Sequence, residues 1–567
     1  MKLLPFILLL LSNCLFGQYR YSVVIDEIMA DPSPQIGLPN HEWIELRNIS
    51  SIPVDLQGWR VEDASGQSGP MPGFVLQPDS FVLVCTGNAV ADLSQYGTTL
   101  PVTNFPSLDN TGEMLMLESN MGTIIHAVDY SSSWFGNEVK KEGGWTLEMI
   151  DTHHPCSGSD NWKGADASGG GTPGSSNSVD AVVADQGAPQ LTKAFLNDNQ
   201  SIVLVFDEPL DSLSSAVVSN YHITGGLLIA EVTTLSPLYN QVRLKVTTPL
   251  SENTVYTIAV EQVSDCSGNP IAAGTTGRIG RPSVAGIGDL VINEILFNPR
   301  PGGSDYVEAF NKSDKIIDAS GIYIGNRNSS GTVSSLKVLS ATPFYIYPGD
   351  YLVATEDGDN LQLNYLTKNP GSLFIVSPLP SYPDDAGDVV LLNVQGESLD
   401  EVKYNKGWHF KLLAHDEGVA IERIDPAGPS QDASNWHSAA STAGYGTPGY
   451  VNSQYRQPVV ADATIAISPP IFSPDNDGRD DIASVQYAIS DPGWAATITI
   501  FDGMGRPVRV LVNNSSLGRT GGWNWDGLND TGSKLPVGTY IVYTELFNLQ
   551  GKRRHFKNAI VLARNLN

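Results

Sequence analysis

Asp475, Asn476, Asp477, Asp480 and Asp481 crowd oxygen-bearing side chains around a single turn glycine, Gly478. Ca²⁺ is a hard cation that takes about six to eight oxygen ligands, so this run has the composition of a calcium loop. It is not an EF-hand, because no glutamate stands at the twelfth position, and Asx–Gly clusters also build plain turns. Both readings stay open, and Ca²⁺ is the one cofactor suggested. Asp384, Asp385 and Asp388 form a thinner version of the same pattern. Glu27 and Glu45 have the residue type for acid/base or metal chemistry. No histidine or third carboxylate is seen to recur beside them, and they read as structural. His153 and His154 stand beside Cys156, but imidazoles so close to a lone thiol read as loop residues and not as a zinc site.

Catalytic signatures are missing. The sequence has no G-x-S-x-G with triad partners, no H-E-x-x-H and no P-loop, and its Gly-rich run from Ser168 to Gly174 follows no strand-to-helix pattern. The chain is therefore read as non-enzymatic, with no catalytic residue assigned.

The elements that would position these groups are strands. In 567 residues only 17% are charged, while Gly 55 and Pro 36 are both high, a balance that favours many short strands joined by turns. The formal charge of −28 repels phosphate backbones and anionic headgroups, so nucleic acid is not expected as a partner. Lys2 followed by an apolar run from Leu3 through Leu11 reads as a secretory leader cleaved between Gly17 and Gln18; Asn13 before Cys14 disfavours lipid attachment there. No other stretch is apolar for long enough to span a membrane. After cleavage Cys85, Cys156 and Cys266 remain, an odd number; Cys85 and Cys156 fall in one domain and could bridge in an oxidising compartment.

A duplicated pattern organises the chain. Val24-Ile25-Asp26-Glu27-Ile28-Met29 recurs as Val291-Ile292-Asn293-Glu294-Ile295-Leu296, and Glu42-Trp43-Ile44-Glu45-Leu46 as Asp305-Tyr306-Val307-Glu308-Ala309. Leu147-Glu148-Met149 then matches Ile421-Glu422-Arg423, and Asn161-Trp162 matches Asn435-Trp436. Each copy closes on Gly-Thr-Pro-Gly, at 171–174 and 446–449. Alternation of Trp43, Ile44 and Leu46 with Glu42, Glu45 and Arg47 predicts a half-buried strand with one wet face.

These ordered blocks resemble the lamin tail domain, an immunoglobulin-like β-sandwich also found in bacterial exported proteins. Copy one carries the landmark Gly58-Trp59, whereas copy two has Gly321-Ile322. The stretch with Phe206-Asp207-Glu208-Pro209-Leu210 and Asn220-Tyr221 resembles bacterial Ig-like modules of surface-layer proteins. The last stretch, with Trp523-Asn524-Trp525-Asp526-Gly527 and Leu535-Pro536-Val537-Gly538-Thr539-Tyr540, resembles Ig-like modules related to the flagellar hook-cap sandwich and to gliding-motility, type IX secretion sorting domains.

The resulting expectation is all-β: a leader at 1–17, then four tandem immunoglobulin-like β-sandwiches at 18–178, 186–280, 285–452 and 460–567. The resemblances imply a non-catalytic protein, secreted or on the outer surface with the periplasm as the alternative, used for adhesion, scaffolding or presentation. Its partner would be a surface protein or glycan, and the type IX machinery if the last module sorts. Because lamin-tail-like domains accompany nucleases and phosphatases, an accessory role in an extracellular hydrolase system is the rival expectation, together with membership of an outer-membrane assembly.

Overall fold

In the computed structural model, residues 20–564 are described apart from 184, 412, 414, 456–464, 490–493, 518–519 and 549–550. The expected leader lies outside the described residues. The chain divides into two units, Met1–Pro249 with Tyr256–Ile279, and Leu250–Val255 with Gly280–Asn567.

The first unit opens with a six-stranded sheet in the order Trp162–Gly164, Leu147–Met149, Val23–Met29, Trp43–Asn48, Phe81–Thr86 and Thr99–Val102. Its neighbours are antiparallel except the last two strands, which run parallel. A second sheet of Arg60–Glu62, Gly112–Glu118 and Ile124–Ser131 faces it. Ile25, Ile44, Leu46, Trp59, Leu115, Leu117 and Ile125 fill the space between as one apolar core, the burial that drives sandwich formation. The same unit continues with a four-stranded sheet, Leu191–Asp198, Ser201–Phe206, Gln241–Val246 and Ile229–Leu235, and a three-stranded one, Tyr221–Ile223, Tyr256–Val260 and Thr276–Ile279.

The second unit repeats the first sheet strand for strand: Trp436–Ser438, Ile421–Arg423, Leu290–Leu296, Tyr306–Asn311, Tyr351–Thr355 and Leu373–Ile375. The absent Gly-Trp landmark does not change the topology. Ile322, 2% exposed, joins the core at the corresponding strand, within a four-stranded sheet of Val333–Val338, Ile322–Arg327, Ala386–Asn393 and Ser398–Asn405. Beyond it lie a three-stranded sheet (Ile465–Ser468, Ala483–Ala488, Thr520–Trp525) and a five-stranded one (Ile471–Phe472, Arg553–Leu562, Gly538–Asn548, Trp494–Phe501, Pro507–Ser516) around a core that includes Phe472, Ile498, Trp525 and Ile560.

The architecture is thus all-β sandwiches. Among the described residues no helix is long and apolar enough to cross a membrane. One expectation fails. Trp43, Ile44, Glu45 and Leu46 are all fully buried, so the strand has no wet face. A later segment of the chain covers the side on which Glu45 lies.

Candidate functional site

Glu27 lies across from Glu45 on one neighbouring strand and from Glu148 on the other, and all three are fully buried. The closing Gly-Thr-Pro-Gly segment lies over them. Thr172 N–H donates to Glu27 Oε1 at 2.7 Å, Thr172 Oγ1 to Glu148 Oε1 at 2.8 Å and Gly174 N–H to Glu45 Oε2 at 2.5 Å. Thr146 Oγ1 adds a bond to Glu27 Oε1 at 2.6 Å, and Ser178 Oγ one to Glu148 Oε2 at 2.8 Å. The glycines are needed for the close approach. A Cβ on Gly171 would lie 2.6 Å from Glu27 Oε1, and Gly174 adopts a left-handed φ of +79° against Tyr96.

Copy two builds the same triad from Glu294, Glu308 and Glu422. Thr447 N–H donates to Glu294 Oε1 at 2.9 Å, and Gly449 N–H to Glu308 Oε2 at 2.7 Å. Thr447 Oγ1 lies 2.9 Å from both Glu294 Oε2 and Glu422 Oε1. Tyr306 OH donates to Glu294 Oε1 at 2.7 Å, and Gln454 N–H to Glu422 Oε2 at 2.8 Å. A third carboxylate therefore does recur in both copies, against the sequence expectation. Its signal was the Leu147-Glu148-Met149 and Ile421-Glu422-Arg423 match, more than a hundred residues downstream of the pair it completes.

Burial pushes Glu27 and Glu294 up to about 8, Glu45 up to about 10, Glu308 well above the carboxylate range, and Glu422 upward as well. Neighbouring carboxylates add to the rise for Glu294, Glu45 and Glu308. Shifted carboxyls in a cleft suggest catalysis, but these six side chains are sealed from solvent, and what the geometry does is fasten a chain segment.

The copies differ beside the triad. Asn293 Nδ2 donates to Glu308 Oε1 at 2.8 Å and to Asn452 Oδ1 at 2.7 Å. Asp26 takes its place in copy one, where neither of its carboxylate oxygens, nor Glu45 Oε1, nor Asn177 Oδ1 has a hydrogen-bond partner among the described residues. Burial pushes Asp26 up to about 7. At the bulge ahead of each glutamate the free backbone donor is met differently. Ile25 N–H donates to His126 Nδ1 at 2.9 Å, whereas Ile292 N–H donates to Asp400 Oδ2 at 2.9 Å. Desolvation lowers His126 to about 4, which keeps it a neutral acceptor at neutral pH.

Of the five predicted calcium ligands, three converge: carboxylate oxygens of Asp475, Asp477 and Asp481 lie within 4.8 Å of one another. Asp481, fully buried, organises the turn by accepting from Asn476 N–H at 2.6 Å, Gly478 N–H at 2.8 Å and Asp475 N–H at 3.2 Å. Gln454 Nε2 also reaches it at 3.2 Å. Asp480 is exposed and outside the cluster, and its carbonyl accepts from Ser473 N–H. Asn476 turns away, its Nδ2 donating to Ala439 O at 3.0 Å, while its own carbonyl accepts from Ser441 N–H at 2.7 Å. The loop is thus docked on the 439–442 stretch. Asp384, Asp385 and Asp388 do not gather; Asp385 pairs with Lys406 and Asp388 lies 3.9 Å from Lys403.

A second carboxylate group escaped notice because its members are far apart in sequence: Asp185, Glu208 and Asp265 within 4.8 Å. Asp265 accepts from Asn269, whose N–H and Nδ2 donate to its two oxygens at 2.8 Å each. Beside it Cys266 is disulfide-bonded to Cys156 with Cα atoms 6.4 Å apart, a spacing normal for a bridge. The suggested Cys85–Cys156 pairing is therefore wrong. Cys85 is buried among Met29, Trp43, Leu83 and Leu93. His153 bonds Asp151 at 3.1 Å and His154 bonds Ser267 at 3.2 Å, loop roles as expected.

A Lamin Tail Domain family model matches residues 18–132 and 283–406, and a bacterial Ig-like domain model matches 180–279. Fold and matches together define the class, a β-sandwich protein with two lamin-tail stretches around a bacterial Ig-like one. The lamin-tail matches end before Leu147–Met149 and Ile421–Arg423, the strands that bring in the third glutamate of each triad. Similar solved structures include the N-terminal part of the bacterial S-layer protein SbsC, at 15% identity and TM-score 0.16, covering 29% of this chain and 44% of that one. A tetra-tandem repeat from the extending region of a large adhesion protein is 10% identical at TM-score 0.13, covering 95% and 98%. A Ca²⁺-stabilised, ice-binding adhesin of an Antarctic bacterium is 10% identical at TM-score 0.12, covering 96% and 99%. The chain thus spans less than half of the S-layer fragment, and scores this low carry no functional argument. No curated protein matches.

Proposed function

We propose that this chain is a non-catalytic, exported modular protein of the cell surface that binds a protein or glycan through loops at the ends of its sandwiches. The observation that carries the reading is the Cys156–Cys266 bridge. A disulfide joining a lamin-tail stretch to the following Ig-like stretch belongs to an oxidising compartment and fixes the spacing of two modules, as a presenting scaffold requires. Sealing of both glutamate triads under their closing segments supports a binding role over chemistry, because no substrate reaches them. Loops carried on rigid sandwiches are the usual place for recognition.

The C-terminal sandwich is proposed as the sorting module for type IX export, and the Asp475–Asp477–Asp481 cluster as a Ca²⁺ site that stiffens its docked loop. Deleting residues 460–567 is expected to trap the protein in the periplasm; undiminished surface display of the truncated chain refutes the sorting role. Phosphodiester or phosphomonoester hydrolysis by the purified full chain would instead favour the hydrolase-associated alternative.

A further inference from the structure

The bond pattern around Thr447 cannot be satisfied by fully ionised glutamates. Its Oγ1 sits 2.9 Å from Glu294 Oε2 and 2.9 Å from Glu422 Oε1, yet a hydroxyl carries a single hydrogen. One contact must use a hydrogen supplied by a carboxyl. Burial raises Glu422 as well, but its other donors, Ser453 Oγ at 2.8 Å and Gln454 N–H at 2.8 Å on Oε2, draw it back towards the charged form and leave Glu294 as the acid of the pair. Among the described residues Glu294 Oε2 has only the threonine hydroxyl, while its Oε1 already accepts from Tyr306 OH and Thr447 N–H.

We propose that Glu294 keeps a proton at neutral pH and donates it to Thr447, which donates in turn to Glu422, and that this acid–hydroxyl–carboxylate chain is a catch on closing segment 446–454 that alkali opens. Loss of the proton leaves two anions flanking one hydroxyl that can satisfy only one of them. The consequence reaches the C-terminal sandwich, because Gln454 donates its N–H to Glu422 and its Nε2 to Asp481, the residue that organises the docked loop.

Among the described residues the groups facing Glu294 offer no counter-charge. Strand Tyr306–Asn311 brings Tyr306 and Glu308, strand Ile421–Arg423 brings Glu422, the closing segment brings Tyr450, and Tyr365 follows the short helix Gly358–Asn364. Nearby cations are engaged elsewhere: Arg300 over the Tyr365 ring, Lys368 over the Tyr450 ring, and Arg423 with Asp400 at 3.0 Å. Burial against this acidic, phenolic surround raises Glu294 to about 8, in keeping with the geometry.

The test is amide hydrogen exchange on the full chain, corrected for intrinsic base catalysis, with Glu294→Gln as the comparison. Glutamine reproduces every hydrogen bond of the protonated acid, carbonyl acceptor and N–H donor alike, but does not ionise. In the wild-type chain protection at Gly449 and Gln454 is expected to fall roughly tenfold or more between about pH 6 and about pH 9.5, with a parallel fall at Gly478, while E294Q stays flat at all three. An equal fall in both proteins, or none in the wild type, overturns the proposal. So does an E294Q chain that fails to fold, since the amide preserves the bonding claimed for the acid.

Discussion

Replacing Thr447 with valine keeps the shape of the side chain and deletes one hydroxyl at the centre of the second triad. That hydroxyl serves Glu294 and Glu422 at 2.9 Å each. A hydrogen bond to a charged group contributes about 1.5–3 kcal/mol, and a buried acceptor left without its donor costs about 1–3 kcal/mol. Glu422 keeps Ser453 and Gln454, and Glu294 keeps Tyr306 and the 447 N–H, so the loss should sit near the middle of these ranges, about 2–3 kcal/mol. Thr172→Val removes a single bond, to Glu148 at 2.8 Å, and should cost about 1–2 kcal/mol. A chain of several sandwiches does not license a single two-state fit, so the assay is local opening. Protection at Gly449 and Gln454 should fall by about 30- to 150-fold in Thr447→Val, since about 1.4 kcal/mol is tenfold, and hardly at all in Thr447→Ser. A change of less than about threefold in the valine variant refutes the claim that the triad holds the closing segment.

Asp26→Asn copies the second unit into the first, giving Glu45 Oε1 and Asn177 Oδ1 the donor that Asn293 gives their counterparts; it should stabilise the first unit by about 1–2 kcal/mol at about pH 8, and a lower denaturation midpoint contradicts this. Cys156 and Cys266 are separated by 110 residues, so Cys156→Ser should lower the stability of the first unit by about 5 kcal/mol on the loop-entropy estimate; an unchanged guanidinium midpoint under oxidising conditions refutes it. Glu27 and Glu294 have folded values near 8 against 4.5 in the free side chain. Their full stabilisation is therefore present below about pH 4.5 and is lost as the pH rises towards about 8, so melting temperature should decline across that window, and a rise there contradicts the assignment. If Asp475, Asp477 and Asp481 hold Ca²⁺, calcium should raise the melting of the second unit and Asp475→Asn with Asp477→Asn should abolish the rise; equal melting with and without calcium sinks that site.

The strands and the duplication were legible because alternating apolar blocks recur in order, and V-I-D-E-I-M against V-I-N-E-I-L survives as an identical sheet order. What pattern reading got wrong was the surroundings of polar residues. Glu45 and Arg47 alternate with core residues and so read as solvated, but polarity along a strand does not reveal that a segment over a hundred residues away will cover it with N–H donors. Gly-Thr-Pro-Gly looked like a domain ending; its glycines permit backbone contact with carboxylates and its threonine supplies a side-chain donor. The 475–481 turn was found because its residues are adjacent, yet Asp480 is exposed, and Gln454, well upstream in sequence, had no local signal. Cysteine pairing failed for a related reason: assigning Cys85 and Cys156 to one domain favoured Cys85, whose strand buries it in an apolar cluster.

The most direct test of the account is exposure on living cells. Protease or antibody applied to intact cells that produce the chain should reach it, with the Cys156–Cys266 bridge present in the protein recovered. A chain that stays protected until the envelope is permeabilised, or is recovered with free thiols at both positions, contradicts an exported protein of the cell surface.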